Sequence, residues 1–145
     1  MEFITVEQFK EQPKEVQEVF LDWWKCEPFN IYAWCWNLKD NKWSIESCCN
    51  QIQADTINKG KTIGDIIPLF TEGQLRKFIE DKSNGTVKLI QWHIEDSQIS
   101  KRGYAIDILR KNEYHVTYHY KDLGEDLLKA YWKVACIVAK EDLNE

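Results

Sequence analysis

Five of the chain's seven tryptophans lie between residues 23 and 43, and this density constrains the fold more than any other feature of the sequence. Each tryptophan is so large that it needs either a wide apolar neighbourhood or a ligand or partner to cover it. Within this stretch, Tyr32, Trp34 and Trp36 alternate with smaller residues. Because successive side chains of a strand point to opposite faces, the alternation predicts a β-strand that carries three aromatic rings on one face. That face is either the thick half of a core or a surface that grips a ligand or a partner.

Three amphipathic segments predict helices, and each begins with a capping pattern. Thr5 and Thr71 each stand three residues before a glutamine, which is the capping-box spacing. Asp122 offers a similar start to a long apolar segment that ends near Asp142. The sequence therefore predicts an N-terminal helix, a short middle helix and a long C-terminal helix.

Runs of alternating apolar and polar residues predict strands between these helices. Short turns join the runs, so the strands are expected to pair antiparallel, and residues 50–65 read as a polar loop. The pattern predicts an α+β fold: an antiparallel sheet of about four to five strands packed by the N-terminal helix and the long C-terminal helix, with the short middle helix. The candidate strands are residues 30–37, 42–49, 86–94, 103–110 and 113–121.

Length, charge and hydropathy limit the class of protein. A chain of 145 residues predicts a single domain, 1–145. The net charge is −5 and no basic patch is visible along the chain, which disfavours direct binding to nucleic acid. No apolar run approaches the length of a membrane span, and the N-terminus does not resemble a signal peptide, so we expect no membrane association and a cytoplasmic location.

The five cysteines are expected to be reduced thiols packed as small apolar side chains. Their spacing does not match the cysteine pairs of zinc sites, and no glycine-rich phosphate-binding loop is complete. The sequence therefore predicts no metal and no cofactor.

Histidines and carboxylates offer a candidate catalytic cluster. His115 and His119 fall on a predicted strand, where they lie about 13 Å apart, too far to hold one metal ion. Together with His93 and Asp107 they are the residues from which a nucleotide- or nucleic-acid-processing enzyme would build its site. Because no nucleophile elbow accompanies them, we expect no enzymatic activity and keep the enzyme as an alternative.

Two aromatic rows are the stronger candidates for function. Tyr114, Tyr118 and Tyr120 form a second row on the last predicted strand, and Trp43 lies on the partner strand of the first row. Such rows belong either to the core or to a surface that stacks purine rings or anchors a protein interface. The candidate binding residues are Tyr32, Trp34, Trp36, Trp43, Tyr114, Tyr118 and Tyr120.

The three helical segments resemble small proteins of clostridial phages and prophages that have no assigned activity. The matching blocks cover about a third of the chain and leave out residues 29–65. No functional residue is carried over from this resemblance. The blocks are VEQFKEQPKEVQEVFLDWWK, IPLFTEGQLRKFIED and DLLKAYWKVACIVAKED.

The resemblance implies an accessory protein that acts inside a bacterial host cell. We therefore expect a non-enzymatic binding protein that inhibits a bacterial defence system such as CRISPR. Its partner would be a host defence protein, or a signal nucleotide that it sequesters. A homo-oligomeric phage structural or assembly protein, with the aromatic rows as subunit interfaces, is the third interpretation.

Overall fold

The computed structural model describes residues 2–62, 64–96, 98–110 and 118–144. Over these ranges it shows the α+β fold that the sequence predicts, with five helices and six strands. The helices are α1 (Val6–Lys10), α2 (Lys14–Trp23), α3 (Gln51–Gly60), α4 (Glu72–Ser83) and α5 (Leu127–Asp142). The strands are β1 (Ile31–Asn37), β2 (Lys42–Ser47), β3 (Ile66–Pro68), β4 (Gly85–Glu95), β5 (Ser100–Arg110) and β6 (Tyr118–Tyr120).

The described strands form two antiparallel sheets of three strands each, in the orders β2-β1-β3 and β4-β5-β6. The sequence predicted one sheet of about four to five strands. The difference arises at β3, which pairs Ile67 with Ala33 and so completes a sheet around the first hairpin. Chain contacts divide the protein into two compact units, residues 3–70 and residues 71–145, the latter with the first two residues. The expectation of a single domain stays a prediction.

An aromatic cluster forms the core of the unit 3–70. The ring of Phe20 is fully buried, and its centroid lies 6.2 Å from that of Phe9 and 5.7 Å from that of Phe70. Trp24, which follows α2 directly, is only 1% exposed. The predicted capping box at Thr5 is present and begins α1. Trp23 and Trp24, the first two tryptophans of the dense stretch, are therefore packing residues.

Residues 50–65, predicted as a loop, contain helix α3. The prediction was wrong because a local cap and tertiary contacts outweigh the polar composition. The Asn50 side chain accepts a hydrogen bond from the Gln53 amide and so caps the helix, and Ala54 is fully buried. Asn58 accepts from the Cys26 amide at 2.7 Å and donates to the Cys26 carbonyl at 3.0 Å.

In the unit 71–145, α4 packs on α5 and both helices contact the second sheet. The predicted capping box at Thr71 is present. The long helix begins at Leu127 with Asp126 as its cap, rather than at Asp122 as predicted. Asp122 and Gly124 both have positive φ, of 56° and 85°, which no α-helix accommodates. None of the helices in the described ranges has the length and apolar character needed to cross a membrane.

Candidate functional site

The aromatic row of β1 lies on the central strand of the first sheet. β1 pairs with β2 on one side and with β3 on the other. Trp34 stands opposite Ser44 of β2 and opposite Ile66 of β3. Directly paired residues share a face, so these three side chains lie on the same side of the sheet.

Burial divides this row. Tyr32 is 5% exposed, whereas Trp34 is 40% and Trp36 is 56% exposed. At the buried end, Gln53 of α3 donates a hydrogen bond to the Tyr32 hydroxyl at 2.9 Å. Burial raises the pKa of Tyr32, and the carboxylate of Glu46 raises it further. Tyr32 is therefore a packing residue, and the exposed part of the row begins at Trp34.

We call Trp34 and Trp36 the tryptophan face. The register between β1 and β2 shifts between Cys35 and Asn37, which places a bulge at Trp36. A bulge bends a strand and re-aims its side chains. Trp34 and Trp36 are two residues apart and both half-exposed, so their indoles offer apolar surface that a ligand or partner can cover.

Trp43 lies on the opposite face of the same sheet. It pairs with Cys35, which follows Trp34 directly in β1 and therefore points to the other side of the sheet. Its indole nitrogen donates to the Asn41 Oδ1 at 2.7 Å, and the Lys10 ammonium lies 5.5 Å from its ring centroid. The structure therefore separates Trp43 from the other predicted binding residues of the hairpin.

A cavity of about 500 Å³ adjoins Trp43 within the unit 3–70. It lies among the end of α1, the first turn of α2 and the sheet. A second cavity, of about 360 Å³, also includes Trp43 and Asn41 in its wall. The residues that line the larger cavity include Lys10, Lys14, Gln17, Cys35, Asn41 and Trp43.

Sequence reasoning did not find this cavity. The net charge of −5 does not reveal the local pair of lysines, Lys10 and Lys14, which lie on either side of Pro13 in an otherwise acidic segment. No local pattern could have revealed the cavity, because it forms only where α1, α2 and the sheet meet.

The second tyrosine row faces the core of its own unit. Tyr118 pairs with Ile108 and Tyr120 with Ile106, and both isoleucines are fully buried. The two tyrosine rings stack with their centroids 6.2 Å apart. Burial raises the pKa of Tyr120 to about 12, and its buried hydroxyl has no hydrogen-bond partner among the described residues. Tyr114 lies outside the described residues.

Arg110 closes the outer side of this row. Its guanidinium lies 5.3 Å from the Tyr118 ring centroid and donates to the Tyr118 hydroxyl at 3.0 Å. Both tyrosines are half-buried. This arrangement fixes the rings against the second sheet and leaves less free aromatic surface than the tryptophan face.

The predicted catalytic cluster is only partly assembled. Asp107 and His119 stand opposite each other in the β5–β6 register, and His119 Nδ1 is hydrogen-bonded to Asp107 Oδ1. His93 lies elsewhere, since it is five residues along β4 from Lys88, the β4 partner of Asp107. Five residues span roughly 17 Å and reverse the face of the sheet. His115 lies outside the described residues.

All five cysteines are free thiols, and three of them, Cys26, Cys48 and Cys136, are buried. Cys26 and Cys48 are buried near each other, and burial raises the pKa of Cys26 to about 12. In the part of the chain that the structure describes, no three His, Cys, Asp or Glu side chains gather to hold a metal ion.

No protein-family model, curated protein or solved structure matches the chain.

Proposed function

We propose that the protein is a non-enzymatic binding protein that holds a partner protein through the tryptophan face. We further propose that it acts in a bacterial cell as a phage or prophage antagonist of a host defence system. The observation that carries the proposal is the exposure of Trp34 and Trp36 along the central strand of the first sheet. The defence target follows from the resemblance of the helical segments to phage and prophage proteins.

The energetics of tryptophan favour a protein partner. A tryptophan buries 150–250 Å² when it is covered completely, and each Å² of apolar surface contributes about 25 cal/mol. Covering the exposed parts of two indoles therefore contributes on the order of a few kcal/mol. Tryptophan is also enriched among the few residues that dominate the binding energy of protein interfaces.

Charge around the tryptophan face indicates the kind of partner. Glu46 is exposed, and it shares the face through its pairing with Tyr32. The chain carries a net charge of −5. An acidic binding protein associates faster with a basic surface, and basic surfaces are common on nucleic-acid-processing complexes. A CRISPR effector complex has this chemistry.

Binding to purified CRISPR effector complexes tests the proposal. The immobilised protein is expected to capture at least one complex of a panel, and Trp34→Thr/Trp36→Thr is expected to weaken that capture at least tenfold. Threonine retains the preference for a strand while it removes both indoles. Leu38→Thr is the matched control, because Leu38 is 71% exposed but lies outside the tryptophan face.

Two outcomes would contradict the proposal. Capture that is equal for the wild type and the double variant would show that the tryptophan face is not the contact surface. Absence of capture across the panel would remove the CRISPR target. Light scattering of the protein alone distinguishes a subunit interface, because self-association that the double variant abolishes would support the homo-oligomer instead.

A further inference from the structure

The larger cavity of the unit 3–70 combines positive charge with an aromatic wall. Lys10 comes from the end of α1, Lys14 from the start of α2 and Trp43 from β2. Among the described residues that line the cavity, none is acidic. The positive end of the α2 helix dipole adds to the same potential. The cavity is therefore locally basic in a chain that is acidic overall.

The Lys10 ammonium is held in place without being neutralised. It donates to the Asn41 Oδ1 at 2.6 Å and lies over the Trp43 ring. Asn41 is a neutral amide, and an ammonium has three donors. A cation that keeps both its charge and further donors can bind an anionic oxygen.

The Trp43 ring is fixed by the same residue. Its indole nitrogen donates to the Asn41 Oδ1, so one side-chain oxygen orients both Lys10 and Trp43. Asn41 itself has a φ of 52°, a left-handed conformation that asparagine tolerates better than most residues. The ring contributes to the walls of both cavities. A flat molecule can therefore lie against it.

The size of the cavity favours an organic anion over a small inorganic ion. A volume of about 500 Å³ falls within the 300–1,000 Å³ that is usual for small-molecule sites. An inorganic ion would leave most of this space empty. Cys35 and Ile67 supply an apolar floor beside the ring. The lining therefore matches an anion that also carries a flat, partly apolar body.

We propose that this cavity binds a mononucleotide, with its phosphate at Lys10 and Lys14 and its base against Trp43. The site is separate from Trp34 of the proposed protein-binding surface, because Trp43 and Trp34 lie on opposite faces of the sheet. Each site can therefore fail in experiment without affecting the other.

Isothermal titration calorimetry of the whole chain at low salt tests this site. The probes are the four nucleoside monophosphates, adenosine and inorganic phosphate. At least one monophosphate is expected to bind with a micromolar Kd. Adenosine and phosphate alone are expected to bind at least tenfold more weakly, because each lacks one half of the recognised chemistry. Added salt is expected to weaken binding of the monophosphate.

Variants assign the binding to the cavity. Lys10→Met and Trp43→Leu are each expected to weaken binding at least tenfold. Lys14→Met is expected to weaken it severalfold, and it leaves the Asn41 contacts intact if the other variants fold poorly. Lys59→Met is the matched control, because this lysine of α3 is exposed and does not line the cavity.

Three results would overturn the proposal. They are the absence of binding for all four monophosphates at millimolar concentration, equal affinity for phosphate alone, and affinities unchanged by both Lys14→Met and Trp43→Leu. None of them bears on the capture experiment with Trp34→Thr/Trp36→Thr.

Discussion

Asp107 is a buried carboxylate in the middle of β5, and it is the only charged residue in the described ranges with so little exposure, at 7%. His119 of β6 is hydrogen-bonded to it. A buried carboxylate that loses its hydrogen-bond partner costs folding free energy, because it cannot recover its hydration. We therefore expect this pair to stabilise the fold.

Replacing His119 tests that assignment. His119→Ala is expected to lower the free energy of unfolding by about 1–3 kcal/mol, since it leaves Asp107 buried without this partner. His93→Ala is the matched control, because His93 is exposed and lies apart from the pair. Urea denaturation followed by circular dichroism measures both values. An equal effect of the two substitutions would contradict the structural role of His119.

Cys136 of α5 makes the free energy of unfolding depend on pH in the alkaline range. Burial raises the pKa of its thiol from 9.0 to about 12 in the folded protein. Between these values the unfolded chain loses the proton and the folded protein keeps it, so the unfolded state is favoured increasingly as pH rises. The stabilising contribution is complete below about pH 9 and is lost by about pH 12.

Denaturation at several pH values measures this effect. The free energy of unfolding is expected to fall between about pH 9 and about pH 11, and Cys136→Ala is expected to reduce the slope. Cys49→Ala provides the comparison, because Cys49 is exposed. If both variants retain the full slope, burial of Cys136 is not its source.

At the scale of elements, Gly103 allows β5 to approach the indole of Trp92 on β4. The two residues are paired, and a Cβ on Gly103 would lie 2.6 Å from the Trp92 Cζ2. Any side chain there displaces the indole. The glycine therefore determines how closely a large aromatic ring packs on the second sheet.

Two alanine substitutions should have opposite effects. Gly103→Ala is expected to destabilise the protein by about 1–3 kcal/mol through overpacking. Gly73→Ala in α4 is expected to stabilise it by about 0.5–1 kcal/mol, because a Cβ there meets no atom within 4 Å and alanine favours a helix. Thermal unfolding compares the two. A neutral Gly103→Ala would contradict the tight packing of Trp92.

The predictability of each element depended on where its stabilisation lies. The helices that begin at Thr5 and Thr71 were predicted correctly, because their capping boxes are local in sequence. α3 was missed, because Asn58 stabilises it through Cys26, 32 residues away. β3 was missed because a three-residue strand is defined only by its pairing with β1.

For the candidate site, alternation predicted a shared face for Tyr32, Trp34 and Trp36, and the register places Tyr32 and Trp34 on one face, whereas Trp36 stands at the bulge and has no partner in the register. Their different burial was not predictable, because Gln53 of α3 covers one end of the row. The cavity beside Trp43 was beyond prediction for the same reason. It requires α1, α2 and the sheet to meet, and no local pattern encodes that meeting.

For the whole molecule, burial separates Trp24 and Trp132 from the half-exposed Trp34 and Trp36. Trp24→Ala is expected to cost about 3–5 kcal/mol, as is usual for a buried tryptophan. Trp34→Thr/Trp36→Thr is expected to cost clearly less, because both rings are already half-exposed. Denaturation of the purified variants gives both values. A double variant as unstable as Trp24→Ala would place the tryptophan face in the core.

We propose that the tryptophan face inhibits a host defence protein. The decisive measurement is the plating efficiency of a CRISPR-targeted phage on bacteria that express this protein. Wild type and Trp34→Thr/Trp36→Thr are compared at equal folded concentration. We predict that the wild type raises plating at least tenfold and that the double variant restores immunity. Equal protection of the phage by both proteins, or none by either, would contradict the claim.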